Sequence, residues 1–312
     1  MFKKSVVVPR FFVRALLTFF VFANLLTVAA QTVVTGDWRA TVKTDNPDKI
    51  QLSFVRRSAN GYRNQHGSSY FLSDLQGLAA AQIAAADAAV NFRLVREAGT
   101  IESTGKFADG GGSGTFRFAA NPQFVSGMKT RGFDFEKPNA KNYDDGDTLE
   151  NRLFAAATLN VTTALADDLL SANFGRLDTG DLFKAAIFKI DSKFMREMKA
   201  SNFSNLGFEE LVKARIFKID ADYLRELNQA GFGKEPFESV VKMRIFKITP
   251  AFISEIRTAG LNNLTIEELT KMRIFNINGE FIRRARADNV ELTPESLVRY
   301  KLSGWKRNTT WN

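Results

Sequence analysis

The pentapeptide RIFKI occupies residues 215–219 and returns at residues 244–248, with AIFKI at 186–190 and RIFNI at 273–277 on either side. The leading isoleucines, Ile187, Ile216, Ile245 and Ile274, stand 29 residues apart. A fixed period of this size marks a chain built from one repeated supersecondary unit, so it bears on architecture before any single element is assigned. Moving the frame backwards finds an earlier copy from Thr162 and an interrupted one from Asn121, six in all.

Punctuation fixes the elements inside each copy. Asn121, Thr162, Asp191, Asp220, Thr249 and Asn278 each stand three residues before a large apolar residue. All are N-cap types, whose side-chain oxygen accepts from the free N–H groups of a first helical turn. Pro122 and Pro250 follow two of them, where a missing N–H costs nothing. Ile190, Ile219, Ile248 and Ile277 precede the later caps, and Met195, Leu224, Ile253 and Ile282 lie five positions on, the spacing of a hydrophobic staple. At the far end, Gly132, Asn173, Asn202, Gly231, Gly260 and Asn289 share one position. Glycine and asparagine tolerate the left-handed conformation that closes a helix, and the apolar residue after each supplies the contact of a Schellman stop. Each copy therefore predicts a helix of about ten residues, such as residues 192–201.

A second helix follows. TIEELTKMRIF begins with Thr265 and Glu268 at capping-box spacing. Leu153, Leu182, Leu211, Val240 and Leu269 hold its first apolar position. One such helix pair cannot bury its apolar stripe alone, but stacked neighbours can. The RIFKI phrase then ends the second helix and hinges into the next unit, and its isoleucines and phenylalanine are expected to fill the core between units. Twenty residues separate Phe133 from Leu153 where eight separate Phe203 from Leu211, so the first unit carries a polar, acidic insertion, EKPNAKNYDDGD. The last unit ends in LSGWKRNTTWN, a terminal cap or tail.

Residues 31–120 follow a different pattern. DWRATVK, KIQLSFVRR, VNFRLVRE, TIESTGKF and GTFRFAA are short runs, several alternating apolar with polar as strands with one buried face do. An Ala-rich stretch, GLAAAQIAAADAA, inserts one short helix. A small antiparallel sheet of five or six strands, a sandwich or half-barrel, is expected.

Composition bounds the chemistry. The chain has 312 residues, no cysteine and one histidine, His66. Disulfides, thiolate catalysis and zinc–thiolate sites are therefore excluded. The first thirty residues are basic, then apolar, then small (Val28, Ala29, Ala30), which reads as a secretory signal peptide cleaved near Ala30. An uncleaved N-terminal anchor in the inner membrane is the alternative. That segment holds four positive charges and no acids, so the +9 of the whole chain falls to +5 for the remainder. Such a charge is ordinary for an exported protein and points away from nucleic acid.

Local motifs weigh little. GGGSGT at residues 110–115 leads into an alternating strand with no lysine following, so it predicts a hairpin rather than a phosphate loop. GDW at residues 36–38 has the opening of lipocalin-like barrels, but a core tryptophan explains it. His66 lies in a polar stretch, RNQHGSS, and reads as a surface histidine in a loop. Asp144, Asp145 and Asp147 lack the full alternation and closing glutamate of a calcium loop. Sequons at Asn160, Asn202, Asn263 and Asn308 carry little, since Asn202 already caps a helix.

Basic residues repeat in register: Arg215, Arg244, Arg273; Lys189, Lys218, Lys247; and Lys213, Lys242, Lys271. Stacked units would align them as ladders, which makes Lys189, Arg215, Lys218, Arg244, Lys247 and Arg273 the candidate partner-binding residues. The simpler alternative is a solvated face with pairing inside a helix, Glu209 with Lys213 and Glu267 with Lys271.

TPAFISEIRTAGLNNLTIEELTKMRI at residues 249–274 resembles the tandem unit of a family of uncharacterised bacterial secreted proteins. FRLVREAGTIESTGKFADGGGSGTFRF is similar to the domain that precedes such repeats. In that family similar repeats also follow BlaR-like membrane metallopeptidase domains. This chain has no H-E-x-x-H, so no peptidase residue carries over. The resemblance implies a secreted or periplasmic repeat protein and no activity.

The expected fold is α+β: a small antiparallel β domain at residues 31–120, then six α-helical hairpins at 121–300 forming a solenoid-like array of period 29, and a tail at 301–312. The expected function is an exported, non-enzymatic binding scaffold that needs no cofactor. Its partner would be another protein or an acidic envelope component, with contact to a membrane surface, and no nucleic acid. A β domain that binds a small or lipidic ligand beside Trp38, with the helices as a dimerisation or anchoring arm, is the alternative.

Overall fold

The computed structural model describes residues 33–42, 46–57, 63–137, 148–201, 203 and 206–307. The signal-peptide reading, the aspartates at 144, 145 and 147, Asn202 and Asn308 lie outside them.

The chain is α+β. Seven strands come first: β1 (Val34–Val42), β2 (Lys49–Arg57), β3 (Arg63–Phe71), β4 (Leu75–Gln76), β5 (Ala88–Arg96), β6 (Gly99–Ala108) and β7 (Gly111–Ala120). One short helix, α1 (Ala80–Ile83), interrupts them in the Ala-rich stretch. They form a single antiparallel, curled sheet in the order β3-β2-β1-β7-β6-β5-β4. The glycine-rich motif is a hairpin: Asp109 and Gly110 both take positive φ, and Ala108 pairs with Gly111 across a two-residue turn.

The sheet departs from the sequence expectation at β3. RNQHGSS is strand, not loop, with His66 opposite Phe54. The segment is polar on both sides, so it lacks the alternation that identifies a half-buried strand. It is tolerated because β3 is an edge, paired only with β2.

Trp38 fixes one side of the sheet core. Its ring lies 5.2 Å from Phe92 and 5.7 Å from Phe107, and its Nε1 donates to the Thr104 carbonyl at 3.2 Å. A Cβ on Gly105 or Gly114 would meet that ring at 2.7 Å, so both glycines are there to let it in.

Twelve helices follow: α2 (Pro122–Thr130), α3 (Leu149–Leu159), α4 (Thr163–Ser171), α5 (Thr179–Phe188), α6 (Ser192–Ala200), α7 (Phe208–Phe217), α8 (Ala221–Leu227), α9 (Phe237–Ile245), α10 (Pro250–Thr258), α11 (Ile266–Ile274), α12 (Gly279–Ala287) and α13 (Pro294–Arg307). All six residues read as caps accept from the backbone N–H of their own first turn, as Asp191 does from Phe194 at 2.8 Å. Gly132, Asn173, Gly231, Gly260 and Asn289 all take positive φ at the far ends. Thr265 and Glu268 form the capping box read from the sequence.

Contacts run in two rows. Each even-numbered helix from α2 to α12 touches the next even one, and each odd helix from α3 to α13 touches the next odd one. Carboxylates stitch the rows in a way sequence reading missed. Glu97 accepts from the Thr163 N–H at 2.8 Å, Asp168 from the Ser192 N–H at 2.7 Å and Glu255 from the Gly279 N–H at 2.8 Å. Each satisfies an orphan donor at the positive end of a helix: Glu97, from the turn between β5 and β6, at α4, and Asp168 and Glu255 at the next even helix. The Ser192 hydroxyl and N–H on Asp168 hold that carboxyl below the usual range.

α3 joins helices to sheet. Phe154 enters the curl, stacked on Phe116 at 5.1 Å and edge-on to Phe54 and Phe118. The Tyr70 hydroxyl donates to the Thr158 carbonyl at 3.0 Å, and Arg152, buried, donates through Nε to the Phe135 carbonyl at 2.9 Å.

Candidate functional site

RIFKI resolves into five jobs, one for each position. Its arginine lies over an aromatic ring of the preceding even helix: Arg215 over Phe194 and Arg273 over Phe252 at 3.7 Å, Arg244 over Tyr223 at 4.9 Å. These guanidiniums are half-buried. Burial pushes the Tyr223 hydroxyl up to about 12 against the opposing pull of Arg244, and that hydroxyl donates to the Ile248 carbonyl at 2.9 Å. The phenylalanine of the phrase, Phe188, Phe217, Phe246 or Phe275, is partly buried against the core. The final isoleucine, Ile190, Ile219, Ile248 or Ile277, is buried, and its N–H returns to a carbonyl five residues back at 2.8–3.0 Å. That is the Schellman closure, with the residue before it left-handed. Lys189, Lys218 and Lys247 take this conformation at φ 56°, 54° and 55°.

The leading isoleucine corrects the sequence expectation. Ile187, Ile216, Ile245 and Ile274 are not core; they are 50, 51, 55 and 55 % exposed. Helical geometry explains it. Leu211 faces inward, and five residues on, Ile216 has turned about 140° round the axis. Only the last isoleucine and, in part, the phenylalanine serve the core that was expected of all three.

The six candidate residues therefore divide. Arg215, Arg244 and Arg273 are stacked within the helical array. Lys189, Lys218 and Lys247 are exposed, and among the described residues they form no ion pair. They stand two residues from Ile187, Ile216 and Ile245, on α5, α7 and α9, which touch in sequence. Neighbouring helices in contact lie about 8–10 Å apart, so four isoleucines and three lysines make a line roughly 24–30 Å long, with Asn276 in the fourth lysine position.

The third basic ladder is neutralised, though not by the pairing read from the sequence. Lys213 pairs with Glu238 rather than Glu209, Lys242 with Glu267 at 2.8 Å, and Lys271 with Glu295 at 3.4 Å. Lys184 pairs with Glu209. Each bridge joins one odd helix to the next.

His66 faces the edge of Phe154 at 5.4 Å, its Nε2 is buried without a hydrogen-bond partner, and burial lowers its pKa below 6.5. It corrects the surface-loop reading: His66 is on strand β3, half-buried against Phe154. The space beside Trp38, the place of the alternative ligand site, is filled by Phe92, Phe107 and the two glycine backbones. A shallow, open groove on the solvent face of the sheet is lined by Thr35, Asp37, Glu102, Thr104, Thr115 and Arg117. Among the described residues no three of His, Cys, Asp and Glu gather as a metal-holding set, and no single helix is long and apolar enough to cross a membrane.

No family model matches this chain, and no curated protein or solved structure is similar to it at a significant level.

Proposed function

We propose that this chain is an exported, non-enzymatic binding scaffold, in which six helix pairs stack as an α-solenoid of period 29 and present one edge to a partner. The observation that carries the proposal is the recurrence of a half-exposed isoleucine on α5, α7, α9 and α11, followed after three of them by an exposed lysine that forms no ion pair among the described residues. Apolar side chains repeated in register on a surface mark an interaction site, whereas singly scattered ones do not. Stacked helix pairs typically work as extended recognition surfaces. The secretory reading of the first thirty residues and the resemblance to secreted repeat proteins support export.

A photo-cross-linking side chain at Ile245, compared with one at exposed Glu226 on α8, tests this in the native host. Adducts to protein or lipid concentrated at Ile245 are expected. Equal or absent adducts at the two positions would overturn the proposal.

A further inference from the structure

The chemistry of the isoleucine–lysine line narrows the partner beyond the scaffold reading, on which this inference rests. Four of the eight large apolar side chains that are exposed among the described residues stand in this one line, which scattering over a surface does not produce. Protein–protein interfaces anchor on Trp, Tyr, Met and Arg and are depleted in Lys. Here the composition is reversed. The arginines are stacked on Phe194, Tyr223 and Phe252, the phenylalanines lean inward, and what projects is aliphatic and ammonium. Aliphatic residues with flanking lysines suit the boundary of a lipid bilayer, where the apolar chain enters the acyl region and the lysine stem lets its charge stay among the headgroups.

Two further observations agree. Lysine occupies the left-handed position at 189, 218 and 247, which glycine or asparagine adopts at less cost; asparagine does so at Asn276 and Asn160. The adjoining ladder of Lys213, Lys242 and Lys271 is held by Glu238, Glu267 and Glu295, and Lys184 by Glu209, so among the described lysines of α5, α7, α9, α11 and the turns that end them, those without a carboxylate partner are the three beside the isoleucines.

We propose that Ile187, Ile216, Ile245 and Ile274, with Lys189, Lys218 and Lys247, form a docking edge for an anionic lipid surface. The isoleucines enter the interface together, and the lysines bind headgroup phosphates. Each lysine near such a surface contributes about fivefold in affinity.

The chain lacks cysteine, so Ile216→Cys in the full-length protein gives a single attachment site for an environment-sensitive fluorophore. Glu226→Cys serves as the control. Vesicles of phosphatidylcholine with phosphatidylglycerol are expected to blue-shift the probe at 216 and expose it to a lipid-borne quencher, leaving the probe at 226 unchanged. Pure phosphatidylcholine is expected to do neither. Lys189→Gln, Lys218→Gln and Lys247→Gln together should raise the lipid concentration for half the shift about 100-fold. Equal responses at 216 and 226, or an undiminished response to neutral vesicles, would overturn the lipid assignment. Cross-links from Ile245 to a protein without insertion at 216 would also overturn it while leaving the scaffold standing.

Discussion

At Lys189, Lys218 and Lys247 the backbone is left-handed, and an L-residue there pays about 1–2 kcal/mol that glycine does not. Lys218→Gly should therefore raise stability by roughly 0.5–1 kcal/mol, the gain being trimmed by the extra freedom of glycine in the unfolded chain. Gly260, at φ 103°, is the mirror case: Gly260→Val should lose about 1–3 kcal/mol. The two urea midpoints should move in opposite directions; a lower midpoint for Lys218→Gly or an unchanged one for Gly260→Val would contradict the prediction made for that residue. His66 makes a pH prediction. Its folded-state pKa is depressed by burial below 6.5, so the unfolded chain binds more protons in the window beneath that value. Stability should be fully present above pH 6.5 and fall as pH drops through the window, a slope that His66→Phe flattens in denaturant titrations across that range. The left-handed glycines were legible from sequence because the requirement is local. His66 was not, because its burial depends on Phe154, which arrives from a helix 88 residues later.

At the level of elements, the six caps and the five stops within the described residues match the sequence expectation, because a side chain and the nearby backbone settle them. Thr162, Asp191 and Asp220 need no tertiary contact to accept from their own helices. Charge pairing was misread for the converse reason. Glu209 and Lys213 are neighbours on one helix, yet Lys213 reaches Glu238 because the next odd helix lies alongside. Ile216 lies outside the core although the sequence groups it with Ile219: five residues of helix turn it about 140° from Leu211, an angle that the regularity of the phrase hides. The energetics of these contacts differ sharply. The bridge between Lys242 and Glu267 is largely exposed, and such pairs are worth about 0–1 kcal/mol. Leu211 is fully buried between α7 and its neighbours. Lys242→Ala should thus cost under about 1 kcal/mol and Leu211→Ala about 2–5 kcal/mol, measured by chemical denaturation. A larger loss at Lys242 than at Leu211 would mean that charge, not burial, holds the odd row together.

For the whole molecule, the question is whether sheet and helices unfold as one. In the proposed stack of helix pairs, where each pair is held by its neighbours, the ends fray unless they are covered. Here the first pair is covered, since Phe154 sits among Phe54, Phe116 and Phe118 while Tyr70 and Thr158 tie β3 to α3. The sheet in turn uses Phe154 to fill its curl, so each part completes the core of the other. Phe154→Ala should remove about 3–5 kcal/mol from both at once. Trp38 reports the sheet once Trp305→Phe and Trp311→Phe silence the other tryptophans, and far-ultraviolet circular dichroism reports the helices. In that background the two urea transitions should coincide before the Phe154 substitution and shift together after it. A shift in Trp38 fluorescence with an unmoved helical transition would show that the helices stand without the sheet, and that the sheet is a passenger on the array rather than its cap.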